Sequence, residues 1–295
     1  MVKGICHNIK EDKKMLVTMN DVLLPAKEGG YGVGFFNAVN VEMARAVIET
    51  AEELNAPVMI GTAEVLLPVM GLERVAEYLI PMAKKASVPV AVHYDHGLTF
   101  EGCMRALKAG FSSVMYDCSV CGYEENKARM AEMVKICHAM GVTVEGELGH
   151  VGDNEGAGKL TNPSDYYTDP ETAVDFVKST GVDALAVAVG NAHGDYKFPP
   201  KLDFDRISSI SAGTGLPLVL HGGSGLADDD FRIAVKRGIC KVNIFTDLEK
   251  AGKAGAEKAI AEGVPSLTKM IPYEIEAMKK VVEEKIRLFG SVGKA

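Results

Sequence analysis

The sequence lacks any apolar run of the roughly 18 or more residues that a membrane-spanning helix requires. Residues 1–14 mix charged residues with single apolar ones, so they also lack the continuous apolar segment of a secretory signal peptide. Because both kinds of segment are missing, we expect a protein of the cytoplasm with no membrane partner.

An excess of positive charge is missing as well. The chain has 32 lysine and arginine residues against 40 aspartate and glutamate residues, which gives a formal charge of −8. A broad nucleic-acid surface needs clustered basic residues that displace counterions from phosphate groups. The composition therefore argues against a nucleic-acid partner, although it permits a local pocket for a single phosphate group.

Cysteines are few, and the six are scattered along the chain. In a chain of 295 residues without a secretion signal, we expect reduced thiols. Cys118 and Cys121 form a Cys-x-x-Cys pair, but neither a second such pair nor a thioredoxin-like pattern accompanies it. We interpret them as ordinary thiols, and a redox or metal-binding pair is the less favoured alternative.

The chain does contain a repeated alternation of short apolar runs and longer helical patterns. The runs are continuously apolar, as in residues 183–190, which is typical of parallel strands that are buried on both faces. The eight predicted strands are residues 31–37, 57–61, 89–94, 113–117, 142–148, 183–190, 216–221 and 240–246.

Eight strand–helix units within about 250 residues predict an α/β protein, a single (β/α)8 TIM barrel domain spanning residues 1–295. We expect an N-terminal cap helix near residues 19–27 and an extra C-terminal helix near residues 275–288. The alternative is a doubly wound open sheet. Such a sheet would usually carry a glycine fingerprint after its first strand, and none is present.

Histidines stand where three of the predicted strands end. His96, His193 and His221 follow the third, sixth and seventh strands, and each is followed at once by glycine. Because the carboxyl ends of barrel strands lie on one face, these imidazoles can point into one mouth. A lone buried histidine is more often a core residue, but three with an open fourth position are typical of catalytic zinc.

The other histidines give weaker signals. His93 lies two residues before Asp95 on the same predicted strand, so we interpret it as a structural group one layer deeper. We interpret His7, His138 and His150 as surface or loop residues, although His150 opens a long polar segment, residues 149–168. Loops of that length in compact domains are usually functional lids or disordered.

Two turns meet after the last two strands. The glycine-rich residues 221–225 follow the seventh strand, and residues 243–246 end the eighth. Barrels commonly bind phosphate at this corner through backbone N–H groups. Either turn alone could be only a tight connection, but the pair favours a phosphate site.

These motifs together resemble the class II fructose-bisphosphate/tagatose-bisphosphate aldolase family. They are His93-x-Asp95-His96-Gly97, Glu145-x-Glu147-Leu148-Gly149, Ala192-His193-Gly194 and His221-Gly222-Gly223-Ser224-Gly225. The resemblance runs from about residue 20 to residue 294, and the spacing, with the segment 289–294, is similar to the shorter, tagatose-type branch.

The resemblance implies a zinc-dependent lyase of carbohydrate metabolism and glycolysis. Such an aldolase reversibly cleaves a ketose 1,6-bisphosphate into dihydroxyacetone phosphate and an aldehyde such as glyceraldehyde 3-phosphate. The resemblance further implies a monovalent cation, Na⁺ or K⁺, and a homodimer or homotetramer.

Roles for individual residues also follow from the resemblance. Zn²⁺ would be bound by His96, His193 and His221, with Glu147 and Asp117 as secondary carboxylates of the metal site. Asp95 would transfer the proton of the C4 hydroxyl, and Glu155 would transfer a proton at the enediolate carbon. The substrate contacts would be Asn37, Gly194, Gly222, Ser224, Asn243 and Thr246.

General chemistry supports a metal. Cleaving a carbon–carbon bond next to a carbonyl leaves a carbanion, which a Lewis-acidic zinc ion stabilises. Without zinc, a barrel would need a lysine that forms a Schiff base. No lysine ends a predicted core strand at the mouth, and Lys241 stands near the start of the eighth strand.

Other segments depart from the family pattern. Residues 264–270 lack the Asp-Pro-Arg that helps to bind the distal phosphate, residues 152–156 replace the usual loop sequence, and Tyr94 replaces a leucine. The alternatives are therefore an aldolase of the same family for a singly phosphorylated sugar, and a metal-dependent sugar-phosphate epimerase. A catalytically silent ligand-binding barrel is the non-enzyme alternative.

Overall fold

The computed structural model describes residues 15–153, 167–193 and 201–295 of the chain, with the backbone alone at residues 152, 153 and 193. Eight parallel strands form a closed barrel in these residues, each paired with the next and the last with the first. They are β1 Val33–Asn37, β2 Val58–Ala63, β3 Val90–Gly97, β4 Ser113–Tyr116, β5 Thr143–Leu148, β6 Ala184–Val187, β7 Leu218–Leu220 and β8 Ile239–Ile244. The predicted barrel is confirmed.

Helices surround the barrel, and most of them connect one strand to the next along its outside. They are α1 Met19–Gly29, α2 Val41–Glu53, α3 Leu72–Lys85, α4 Phe100–Ala109, α5 Tyr123–Ala139, α6 Pro170–Thr180, α7 Phe204–Thr214, α8 Asp228–Arg237, α9 Thr246–Ala261 and α10 Leu267–Phe289. Their ends follow local chemistry. The Asp169 carboxylate accepts the N–H of Thr172 at 2.8 Å and caps α6, whose first residue is proline.

Several elements differ in length from the sequence prediction, and two of them extend furthest beyond it. Strand β3 continues to Gly97, three residues beyond the predicted end, because the polar residues after Tyr94 still pair with both neighbouring strands. Helix α10 begins at Leu267 instead of near residue 275, and it contains Pro272 in its second turn. Proline lacks a backbone N–H and is unusual inside a helix. The sequence around Pro272 therefore did not indicate a helix that begins at Leu267.

The N-terminal helix α1 closes one end of the barrel. Its buried residues Met19, Val22 and Leu23 join a cluster with residues that point into the barrel, including Phe35 and Met59. A second cluster fills the space between the strands and the outer helices. The N–H of Met19 donates to Thr143 Oγ1, at the start of β5, at 3.1 Å. Because α1 occupies the amino-terminal end of the strands, the carboxyl-terminal end is the open one.

Within the residues that the structure describes, no helix combines the length and the apolar character needed to cross a membrane.

Candidate active site and metal centre

A cavity of about 550 Å³ opens at the carboxyl ends of the strands. Most barrel strands contribute a residue at or just beyond their ends: Asn37, Ala63, Asp95, His96, Asp117, Glu147, Gly222 and Asn243. Barrel enzymes carry their active sites on this face. The cavity is therefore the candidate active site.

Strand β3 contains an irregularity that shapes the cavity. Tyr94 pairs with Val114 and Gly97 pairs with Tyr116, so three steps along β3 oppose two along β4. His96 has a φ of 44°, which is uncommon for a residue with a side chain. This bulge places Asp95 and His96 on the same cavity although they are neighbours in sequence.

Gly97 permits the bulge to pack. A Cβ atom at this position would lie 2.7 Å from Cys103 Sγ and 2.8 Å from the carbonyl oxygen of Met115. Gly222 serves its turn differently, since its φ of 62° is a conformation that glycine adopts without strain. Gly97, which follows His96, is therefore needed because a side chain would not fit. Gly222, which follows His221, is needed because of its positive φ.

The His96 imidazole is held by a carboxylate. Its Nδ1 lies 2.8 Å from Asp117 Oδ2, and its ring centroid lies 4.5 Å from that of His221. Burial lowers the pKa of His96, but the carboxylates of Asp95, Asp117 and Glu147 outweigh it and raise the pKa to about 10. The protonated ring thus balances negative charges that a divalent cation would otherwise balance.

His221 lies deeper and is completely buried. Its Nε2 lies 2.9 Å from Glu145 Oε1, and its Nδ1 lies 3.5 Å from Glu147 Oε2. Burial and the neighbouring charge on His96 lower the pKa of His221 to about 4, against the opposing effect of Glu145. The ring is therefore neutral at pH 7, and a neutral imidazole is the form that binds metals.

The donor atoms around these rings fit a metal ion. One group consists of Asp95, His96 and His221, and another of His96, Asp117 and Glu147, and within each group the donor atoms lie within 4.8 Å of one another. Burial and the charge of Asp117 raise the pKa of Glu147 to about 8. Imidazole nitrogens and carboxylate oxygens are ligands of zinc and related divalent ions. These residues form a candidate metal-binding cluster at the base of the cavity.

Three of the predicted residues fall outside or at the edge of the described residues. The backbone of His193 belongs to a short strand, Ala192–His193, which pairs with Gly152–Asp153 beyond the end of β5. Its side chain, together with Gly194 and Glu155, lies outside the described residues.

Asp95 is almost completely buried and is surrounded by donors. Its Oδ2 accepts from Asn37 Nδ2 at 3.0 Å, and Asn243 Nδ2 lies 3.2 and 3.3 Å from its two oxygens. Burial raises the pKa of Asp95, but the positive charges of His96 and Lys241 outweigh it and hold the pKa well below its usual range. The carboxylate is therefore ionised and fixed within the candidate metal-binding cluster.

The turns after β7 and β8 meet at one side of the cavity. Gly222, Ser224 and Thr246 line it, and Ser224 Oγ accepts the N–H groups of Phe245 at 3.4 Å and Asp247 at 3.3 Å. Thr246 is the first residue of α9. A helix N-terminus beside a glycine turn presents N–H groups that suit a phosphate group.

Two charged residues lie below the histidines, and the sequence alone indicated no role for either of them. Glu145 and Lys241 are completely buried, and Lys241 Nζ lies 2.8 Å from Glu145 Oε2. Lys241 is the third residue of β8, and its long side chain reaches the layer below the histidines. His93 belongs to the same layer, with its Nδ1 2.7 Å from Ser113 Oγ, which is consistent with a structural group.

His150 is a loop residue, as the sequence indicated. The structure adds that it lies on the cavity wall, with Nδ1 3.3 Å from Ser119 Oγ. His138, by contrast, lies on the outside of α5, where its Nε2 is 2.9 Å from Asp183 Oδ2.

A closed barrel with histidines, carboxylates and a phosphate-suited corner at its open end has the architecture of a (β/α)8 enzyme. The sequence model of the family described as fructose-bisphosphate aldolase class-II matches residues 17–294. A fructose-bisphosphate aldolase of Staphylococcus epidermidis is 39% identical over 285 residues, which are 95% of this chain and 99% of that protein. A probable fructose-bisphosphate aldolase of Bacillus subtilis has the same identity and coverage.

The crystal structure of the YdjI aldolase from Escherichia coli K12 has a TM-score of 0.86 and 36% identity, covering 95% of this chain and 100% of that one. The chain belongs to the class II fructose-bisphosphate aldolase family. It is an aldolase, a lyase that cleaves and forms carbon–carbon bonds, and the family acts on phosphorylated sugars.

Proposed function

We propose that the chain is a zinc-dependent aldolase that reversibly cleaves a ketose 1,6-bisphosphate of the fructose or tagatose type into dihydroxyacetone phosphate and an aldehyde. The observation that carries this proposal is the close grouping of Asp95, His96 and His221, whose donor atoms lie within 4.8 Å of one another. Cleavage beside a carbonyl needs both a stabilised negative charge and a base, and this cluster offers both.

The proposed ligands of the zinc ion are His96, His193 and His221, with Glu147 as a further carboxylate of the site. Asp117 would contribute mainly by holding His96 Nδ1, from which it lies 2.8 Å. A carboxylate behind a metal-binding histidine fixes the orientation of the ring and makes it a better ligand. When bound, zinc supplies a Lewis acid that stabilises the carbanion left by cleavage.

The remaining steps would use residues of this chain. Asp95 would accept the proton of the C4 hydroxyl in cleavage and return it in condensation, since its carboxylate is ionised and held by Asn37 and Asn243. Glu155 would transfer a proton at the enediolate carbon. One of these carboxyl groups would accept a proton while the other donates one, as is typical of general acid–base catalysis.

The phosphate group of the dihydroxyacetone phosphate half would bind at the corner formed by β7 and β8. Gly222, Ser224 and Thr246 line this corner, and Gly194 would complete it. Asn243, which lies between this corner and Asp95, would contact the carbon chain of the substrate. A bound Na⁺ or K⁺ near the phosphate completes this part of the proposal.

A second candidate substrate is a ketose with one phosphate group, whose aldehyde half is uncharged. The described residues that line the cavity include neither lysine nor arginine, and the outer wall carries Val65, Leu66, Leu98 and Val120. A site built for a second phosphate group normally uses basic side chains. This lining, together with the absence of the Asp-Pro-Arg segment, favours an aldehyde without a phosphate group.

The decisive assay measures cleavage by metal-free protein before and after zinc is restored. We expect the metal-free protein to be inactive, and full activity without metal would contradict the proposal.

Product analysis separates cleavage from epimerisation, and a protein that binds substrate without turnover would support the silent barrel. The ratio of kcat/KM for the bisphosphate to that for its 1-phosphate analogue identifies the aldehyde half. Comparable values would favour an aldehyde without a phosphate group, whereas a preference of about 10³-fold for the bisphosphate would indicate a binding site for the second phosphate group.

The setting of the activity is also a proposal. We infer a single domain that works in the cytoplasm as a homodimer or homotetramer. A role in carbohydrate metabolism such as glycolysis is supported by the similarity to bacterial fructose-bisphosphate aldolases. Light scattering coupled to size exclusion measures the oligomer directly.

A further inference from the structure

Lys241 and Glu145 form an ion pair in the interior of the barrel, where charge is costly. Neither side chain is exposed to solvent, and Nζ lies 2.8 Å from Glu145 Oε2. The Phe35 ring lies 4.5 Å from the same nitrogen. Apolar residues of similar volume often stabilise a core as well as a buried ion pair does, so the pair needs another explanation.

The second oxygen of Glu145 connects this pair to the candidate metal centre. Glu145 Oε1 lies 2.9 Å from His221 Nε2, while His221 Nδ1 faces Glu147 Oε2 at 3.5 Å. Glu145 is paired with Lys241 as a carboxylate and can only accept a hydrogen bond, so His221 donates to it from Nε2. Nδ1 then carries the lone pair and faces the group of donor atoms that also includes Asp95 and His96.

Lys241 fixes which oxygen of Glu145 meets His221. The carboxylate also has His93 Nε2 as a neighbour, at 3.7 Å from Oε2, so it has more than one positive or polar group to turn towards. The lysine binds Oε2 on that side and leaves Oε1 for His221. The contacts therefore run from Lys241 to Glu145, from Glu145 to His221, and from His221 to the donor group that includes Asp95 and His96.

We propose that Lys241 is a positioning residue of the metal centre, which acts through Glu145 to hold the His221 imidazole in the tautomer and orientation that bind a divalent ion. The proposal rests on the metal-dependent function proposed above. It gives this lysine a role distinct from Schiff-base chemistry, because Nζ contacts a carboxylate below the histidines.

The test measures metal affinity in metal-free protein, independently of turnover. Zn²⁺ is titrated in competition with a chromophoric chelator, and Co²⁺ is added separately to record its visible absorption. Lys241→Met should weaken Zn²⁺ binding by about 10- to 100-fold, the usual effect of losing an outer-shell partner, and should alter the Co²⁺ spectrum. The control is Lys279→Met, which removes a lysine that joins α10 to Glu49 and Glu53 on α2, away from the cavity. It should leave both measurements unchanged.

Lys241→Met leaves Glu145 as an unpaired buried charge and can therefore impair folding. The double variant Glu145→Gln/Lys241→Met removes both charges at similar volume, and such replacements are often tolerated. We expect it to fold and still to bind Zn²⁺ more weakly than the wild type. Wild-type affinity and an unchanged Co²⁺ spectrum in the double variant would overturn the proposal and leave a simple core ion pair.

A measurement on the unaltered protein needs no variant. The ¹⁵N chemical shifts of the His221 ring in metal-free protein should place its proton on Nε2, and a proton on Nδ1 would overturn the proposal. If the wild type bound no divalent ion, the proposed function would fail as well. If it bound the ion and the variants did too, only the role of Lys241 would fail.

Discussion

Asp95 and His96 are consecutive residues of strand β3, and both line the same cavity. Successive side chains of a regular strand point to opposite faces, so a regular strand would bring only one of them to the site. The register shift against β4 and the φ of 44° at His96 turn the second residue to the same side. The surrounding contacts must compensate a backbone strain of about 1–3 kcal/mol.

The bulge predicts a strong effect of Gly97→Ala. The new Cβ would lie 2.7 Å from Cys103 Sγ and 2.8 Å from the Met115 carbonyl oxygen, and backbone atoms cannot move away easily. We expect the free energy of unfolding, measured with urea, to fall by about 2–3 kcal/mol, as overpacking does in cores. Gly122→Ala is the control, since no atom lies within 4 Å of its new Cβ, and it should cost about 1 kcal/mol or less. Equal effects in the two variants would contradict this packing argument.

Asp95→Asn tests the proposed base. The substitution keeps the shape of the side chain and removes the charge, so the proton of the C4 hydroxyl has no acceptor. We expect kcat for cleavage to fall by about 10²- to 10⁴-fold, the usual contribution of a positioned base. Zinc content, measured by elemental analysis, should stay near that of the wild type. A kcat within tenfold of the wild-type value would assign the proton transfer to another residue.

Asp117→Asn tests the carboxylate behind His96. Its Oδ2 lies 2.8 Å from His96 Nδ1, and loss of the charge weakens both the orientation and the basicity of the ring. We expect Zn²⁺ affinity to fall by about 10- to 100-fold, with a smaller change in kcat once zinc is saturating. Asp175→Asn on the exposed side of α6 is the matched control and should not change zinc affinity. If only kcat changed, Asp117 would act on the substrate and not on the metal centre.

Much of the fold was predictable because the signals for each strand and each helix lie close together in the sequence. Continuous apolar runs mark strands that are buried on both faces, and caps such as Asp169 mark where helices begin. His96 and His221 were found because they end such runs. A buried histidine that ends a strand stands out against its apolar neighbours, and the barrel brings these ends to one face.

The charged layer below the histidines was not predictable in the same way. Glu145 and Lys241 are separated by 96 positions, and their contact depends on the register of two strands that are not neighbours in the barrel. The bulge at His96 was hidden for a related reason, because it appears only when β3 is aligned with β4. His150 lines the cavity because of where its loop folds, which no local periodicity records.

The Cys-x-x-Cys pair gives a prediction about thiol chemistry. Burial raises the pKa of the Cys118 thiol to about 11, and the structure describes both Cys118 and Cys121 as free thiols. The thiolate is the reactive form, so at pH 8 only about one Cys118 in 10³ is ready to react. We expect iodoacetamide to modify the half-buried Cys121 well before Cys118, and the Cys118 rate to rise steadily as the pH is raised towards 11.

Peptide mass spectrometry after timed alkylation measures the two rates separately. The denatured protein is the control, because both thiols are then exposed and should react at similar rates. Cys240, whose pKa burial likewise raises to about 11, provides a second slow site in the same sample. Rapid labelling of Cys118 in the folded protein, or a disulfide between Cys118 and Cys121 in non-reduced samples, would instead favour the redox pair. Slow labelling of Cys118 and Cys240, with faster labelling of Cys121, would mean that burial of the thiols sets their reaction rates. It would argue against a redox function of the Cys-x-x-Cys pair.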